Sequence, residues 1–187
     1  MTTLAALALV LFQMAPSHGA DSSASVVPPV PPSQPEMAGG LAWTNPKAWS
    51  PGPASSMRVV TLKVPAAAGD SEGGELAVFY FGPGQGGGVD ANVQRWFSQF
   101  QSDPKGGGQK QSKTKVGEIA VTLCQTEGTY VAGMGGVTTV PKTGWALRGA
   151  IAEGAQGSVF FKLVGPKKTI EKAQPAFDAL VKSLRKG

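Results

Sequence analysis

The sequence predicts an α+β domain, an antiparallel sheet packed by two helices. Three observations lead there. Several short segments alternate apolar and polar residues, as half-buried strands do. Two longer segments carry apolar residues at helical spacing, each forming one stripe that must find a sheet to cover. Glycine occurs 26 times in 187 residues, which favours turns between short strands over long helices. The domain is expected over residues 43–187, a length that buries about two-thirds of the surface its unfolded chain exposes.

Ahead of it, residues 1–20 read as a secretory signal. Leu4 to Phe12 (LAALALVLF) is an unbroken apolar run, followed by Ala15, Pro16, Ser17, Gly19 and Ala20. Such a run before small residues has the length of a signal h-region and is too short to span a bilayer. Cleavage is expected after Gly19 or Ala20, less readily after Ala24. The segment Met1-Thr2-Thr3 has no Lys or Arg, so either translation starts upstream or the signal is weak. Residues 21–42 are expected to form a disordered tether, because the prolines from Pro28 to Pro35 favour extended polyproline II and forbid helix or central strand. The mature chain is expected outside the cytoplasm, periplasmic or extracellular, with no transmembrane helix.

Within the domain, Met57 to Val64 and Glu75 to Phe81 read as a first antiparallel pair, joined by the Gly-rich turn at 69–74. Asp90 to Gln101 reads as a helix, with Val93, Trp96, Phe97 and Phe100 on one face, Asp90 as N-cap, and Asn92, Arg95 and Gln99 toward water. The following SDPKGGGQKQSK has no apolar residue and reads as a loop. Lys115 to Gln125 alternates as a strand, and Thr129 to Ala132 reads as a short separate one. Trp145 to Ala152 and Ser158 to Val164 form a last pair turned at Gly154 to Gly157. A closing helix runs from Lys167 to Arg185, and Pro175 is expected to bend it or split off its first turn. Trp96, Phe97, Phe100, Cys124, Phe161 and Phe177 are the candidate core.

This order, with the phrases WTNPKAW, SSMRVVTLKVP, NVQRWFSQF and GAIAEGAQGSVFFKLVGP, resembles exported bacterial proteins of unknown function with a PsbP-like fold. The resemblance covers about residues 41–185. It implies an α/β/α sandwich, as in the photosystem II extrinsic protein and a yeast nuclear-import factor, and a binding or assembly role. It supplies no functional residue.

Composition narrows the chemistry. The formal charge is +5 with an isoelectric point near 9.4, but the charged residues are sparse and no basic face with interleaved aromatics emerges, so nucleic acid is not an expected partner. The single histidine, His18, falls in the signal, so the domain lacks the base of Ser-His-Asp and Cys-His catalysis. One cysteine, Cys124, allows no thiolate metal pair; it sits in an alternating strand and reads as core, with a reactive surface thiol as the alternative. The run GPGQGGGVDAN lacks the Gly-Lys-Ser/Thr ending of a phosphate loop. No cofactor or metal is expected.

Glu75, Glu118, Glu127 and Glu153 lie near strand ends, and a hydrolase would need two of them to converge. Trp43 and Trp49 flank prolines, so they either line a groove or pack across a sheet edge. Together with Lys105, Lys110 and Lys113 of the glycine-rich loop they form the candidate binding surface. The expected function is a non-catalytic extracytoplasmic binding or accessory protein that contacts a protein or envelope component through a sheet edge or loops. A carboxylate-dependent hydrolase and a purely structural envelope protein are the alternatives.

Overall fold

The computed structural model describes residues 35–102, 108–131 and 140–187, all within the compact unit Pro32–Gly187. The signal, its cleavage sites, the polyproline run up to Gln34, and Lys105 lie outside the described residues. The chain opens with three short strands, β1 (Glu36–Ala38), β2 (Leu41–Trp43) and β3 (Ser50–Pro51). β4 (Val60–Val64), β5 (Gly74–Phe79), α1 (Val89–Phe97) and β6 (Phe100–Ser102) follow. Four longer elements come next: β7 (Lys110–Val116), β8 (Ile119–Tyr130), β9 (Lys142–Gly154) and β10 (Gly157–Pro166). The closing elements are α2 (Lys167–Lys182) and β11 (Arg185–Lys186).

The main sheet has the order β3-β4-β5-β10-β9-β8-β6, with β7 also paired to β8, and every pairing is antiparallel. A small second sheet has the order β1-β2-β11. The expected α+β sandwich packed by two helices is therefore corrected to a β-rich fold, with eleven strands against two helices among the described residues. The physical reason lies in strand length. β8, β9 and β10 run for 12, 13 and 10 residues, absorbing stretches read as turns or as separate short strands. Thr129 and Tyr130 continue β8 past a register irregularity at Gly128 instead of starting a strand of their own.

β7 is a further correction. Its residues KQSKTKV, the end of the polar stretch read as a loop and the start of the strand expected from Lys115, pair with β8 along their whole length. Side chains on both faces of β7 are solvated, so no apolar alternation marks it. β1 and most of β2 fall where the tether was expected; they meet through a tight turn in which Gly39 and Gly40 take φ of 62° and 74°, accessible cheaply only to glycine.

Alternation on the central strands sends their apolar residues to two separate cores. On one face Ala146, Ala150, Phe161 and Leu163 pack with Ile170, Phe177 and Leu180 of α2. On the other, Leu147, Ile151 and Phe160 pack with Val93, Trp96 and Phe97 of α1 and with Phe100. Cys124 belongs to this second core. α1 starts one residue earlier than expected, with Gly88 rather than Asp90 as N-cap. Asp90 lies in its first turn and accepts a hydrogen bond from Gln111 of β7 at 2.8 Å. Asn92, expected to face water, is buried; its amide donates to the carbonyls of Gly86 and Gly88 at 2.8 and 3.0 Å and closes the glycine loop.

α2 runs unbroken through Pro175, so of the two expected outcomes, a bend or a split first turn, the split does not occur. Its N-terminus has no local side-chain cap. Asp70, from the β4–β5 loop, takes that role: its carboxylate accepts from the Thr169 backbone N–H at 2.9 Å and the Thr169 hydroxyl at 2.6 Å.

Candidate functional site

α2 buries one stripe on the sheet, which leaves the neighbouring row Glu171, Gln174 and Asp178 beside it. The β7–β8 hairpin forms the opposite wall. Between them lies a groove of about 560 Å³, lined by Gln111 and Ser112 of β7, Gln125 of β8, Arg148 of β9, and Phe177 and Asp178 of α2. Leu123 adds a second apolar contact beside Phe177. The volume falls within the roughly 300–1,000 Å³ typical of ligand sites.

Arg148 is the distinctive group. β9 alternates through Ala146, Arg148 and Ala150 on the α2 face, so the strand projects a guanidinium where its neighbours project methyl groups. One terminal nitrogen donates to Gln125 Oε1 at 3.1 Å and the other to Gln174 Oε1 at 2.5 Å. Both partners are neutral amides; among the described residues no carboxylate pairs with Arg148. Asp178 lines the same groove without a cationic partner among the described residues. A smaller recess of about 220 Å³ adjoins through Lys110, Gln125 and Arg148. Within it Lys167 lies 2.9 Å from Glu127 and 4.0 Å from Glu171.

The expected binding residues are only partly drawn together. Lys110 lines the groove, whereas Lys113 extends from the opposite face of β7, in register with buried Thr122. Trp43 is fully buried, donates its indole N–H to Asn45 Oδ1 at 3.0 Å, and meets Phe161 edge-on at 5.1 Å. Trp49 is buried in the same core. Neither tryptophan lines the groove; both pack, as the alternative reading of them held. Arg148, Gln125, Gln174 and Asp178 were not anticipated. The one available signal was a lone arginine in the otherwise apolar and small-residue run WALRGAIA.

The four carboxylates singled out from the sequence do not converge. Glu75 pairs with Arg58 at 3.0 Å on the α1 face, Glu127 meets Lys167 on the α2 face, Glu118 pairs with Lys186 at an exposed hairpin, and Glu153 is exposed. Cys124 borders the groove, but its side chain packs in the α1-side core, and burial pushes the thiol up to about 12, which a hydrogen bond from the Gly149 backbone only partly offsets. That leaves it protonated and a poor nucleophile at neutral pH.

A second polar cluster is buried under the α1 face. The Lys162 side chain is 3% exposed, donates to Gln99 Oε1 at 2.5 Å, and its ammonium lies 5.8 Å from the centre of the Tyr130 ring. Burial, aided by the positive charge of Arg58 and opposed by Glu75, lowers its pKa to about 8. The Tyr130 hydroxyl is buried without a hydrogen-bond partner among the described residues, and burial pushes its pKa up to about 12.

Among the described residues no group of three or more His, Cys, Asp or Glu side chains could hold a metal ion, and no helix is long and apolar enough to cross a membrane. Comparison of the chain with protein-family models gives no match, and comparison with curated protein sequences gives none. The resemblance to exported proteins of PsbP-like type thus rests on the sequence phrases alone.

Proposed function

We propose that the chain is a non-catalytic extracytoplasmic binding or accessory protein that takes its ligand in the groove between α2 and β7–β9. One observation carries this reading: a ligand-sized groove whose floor holds a guanidinium oriented by two glutamine oxygens and answered by no carboxylate among the described residues. Fixing an arginine through neutral acceptors keeps its charge available to something else. A purely structural spacer has no use for such a cavity. Hydrolysis by two carboxylates is disfavoured, because Glu127 and Glu171 share Lys167, and among the described residues Asp178 is the only carboxylate lining the larger groove. The extracytoplasmic setting rests on the apolar run Leu4 to Phe12 and the small residues behind it.

The test is a thermal-shift screen of small polar metabolites against the parent and Ser112→Trp. Ser112 is exposed on β7, so tryptophan there fills the groove with little effect on the core. A metabolite that raises the melting temperature of the parent but not of the variant supports groove binding. Ligands that shift both equally place the site elsewhere.

A further inference from the structure

Resting on that reading of the groove, we infer that its ligand is a small zwitterion, an α-amino acid with an apolar side chain. Arg148 and Asp178 line one cavity, carry opposite charges, and pair neither with each other nor with another described charge. Gln174, which holds Arg148, precedes Asp178 by one helical turn, which sets those two side chains about 5–6 Å apart on the same helix face. The guanidinium held by Gln174 and the acid one turn further along α2 thus line the same cavity.

Charge logic selects the ligand class. A neutral apolar ligand would desolvate both charges without partnering either. An anion alone would meet the arginine and Lys110 but also face Asp178; a cation alone would meet Asp178 and face the two positive groups. A zwitterion satisfies all of them. Its carboxylate takes the guanidinium N–H donors that the two glutamines leave unused, and its ammonium donates to Asp178. Leu123 and the edge of Phe177 then offer an apolar wall to the side chain. In the adjoining recess Glu127 is taken by Lys167 at 2.9 Å, which keeps it from pairing with Arg148 in place of the ligand.

Isothermal titration of the full chain with L-leucine, 4-methylpentanoate and 3-methylbutylamine tests this without any mutation. The second compound lacks the ammonium group and the third lacks the carboxylate. L-leucine should bind, and each deletion should weaken binding at least tenfold. Asp178→Asn should bring L-leucine down to the affinity of 4-methylpentanoate, and Arg148→Gln should bring it down to that of 3-methylbutylamine. Binding of 4-methylpentanoate as tight as that of L-leucine would overturn the zwitterion in favour of a simple anion site. Failure of L-leucine and of the other apolar α-amino acids to bind, while a metabolite of another class binds the parent but not Ser112→Trp, would overturn the zwitterion and leave the groove standing. Absence of any ligand sensitive to Ser112→Trp would remove both readings.

Discussion

Trp96 occupies the space that a side chain at Gly149 would need. A Cβ built on Gly149 would lie 2.5 Å from Trp96 Cζ3 and 2.6 Å from the Cys124 sulfur. The glycine in β9 is thus the socket into which α1 sets its largest apolar residue, and the residue just before it, Arg148, faces the groove on the other side of the sheet.

Trp96→Ala should cost about 3–5 kcal/mol through lost burial and the cavity left behind. Gly149→Ala should cost about 1–3 kcal/mol by overpacking the same space. The double variant should be less destabilised than the sum of the two, because removing the ring makes room for the methyl group. Denaturant melts of the four proteins measure this coupling. Arg95→Ala, which removes an exposed side chain and its half-buried hydrogen bond to the Asn92 side-chain oxygen, should cost far less than Trp96→Ala, about 0.5–1.5 kcal/mol.

Lys162 makes stability depend on alkaline pH. Its folded pKa of about 8 lies below the ordinary lysine value, so between the two the unfolded chain binds the extra proton. Stability should therefore rise as pH rises from about 8 toward 10.5. Below pH 8 both states carry the charge, and the full cost of its burial is present, on the order of 3 kcal/mol. Lys162→Met should be more stable than the parent at pH 7, with the gap closing by pH 10. Melts of the pair across that range check the sign; a variant less stable at pH 7 would mean that the bond to Gln99 outweighs the burial cost.

Asp70 caps α2 from far away in the sequence. Asp70→Ala leaves the Thr169 N–H and hydroxyl without their acceptor and should cost about 0.5–2 kcal/mol. Asp70→Asn, which retains an acceptor oxygen, should recover part of the loss. Equal losses in the two variants would point to charge at the helix terminus as the dominant effect.

Export predicts a mature N-terminus between residues 18 and 25, with the protein in the periplasm or medium. Intact mass of the chain expressed from its own start reads this directly. A retained Met1 in a cytoplasmic fraction would contradict it.

The legible parts of the fold were those written in contiguous residues. Val93, Trp96 and Phe97 advertise a helix face because their spacing is helical, and Ile119, Val121 and Leu123 advertise a strand because theirs is two. β7 was hidden, since a strand solvated on both faces has no apolar period and its pairing with β8 is a backbone matter. The two helices were legible, but the dominance of the sheet was not, because nothing local told that Lys142 to Gly154 would stay extended for thirteen residues. The groove was the least legible part. Arg148 and Gln174 are 26 positions apart and Asp70 and Thr169 are 99 apart, separations over which no periodicity operates. Nearby prolines leave Trp43 and Trp49 open to lining a groove or packing across a sheet edge, and burial in the α2-side core decides for packing.

The most direct test of the groove as the binding site is a map of backbone amide shifts on titrating the best ligand from the thermal screen into labelled protein. The largest shifts should fall at Gln111, Ser112, Gln125, Arg148 and Asp178, across three strands and one helix that only the groove brings together. Shifts concentrated instead around Arg58, Phe79 and Lys162, on the opposite face of the sheet, would contradict it.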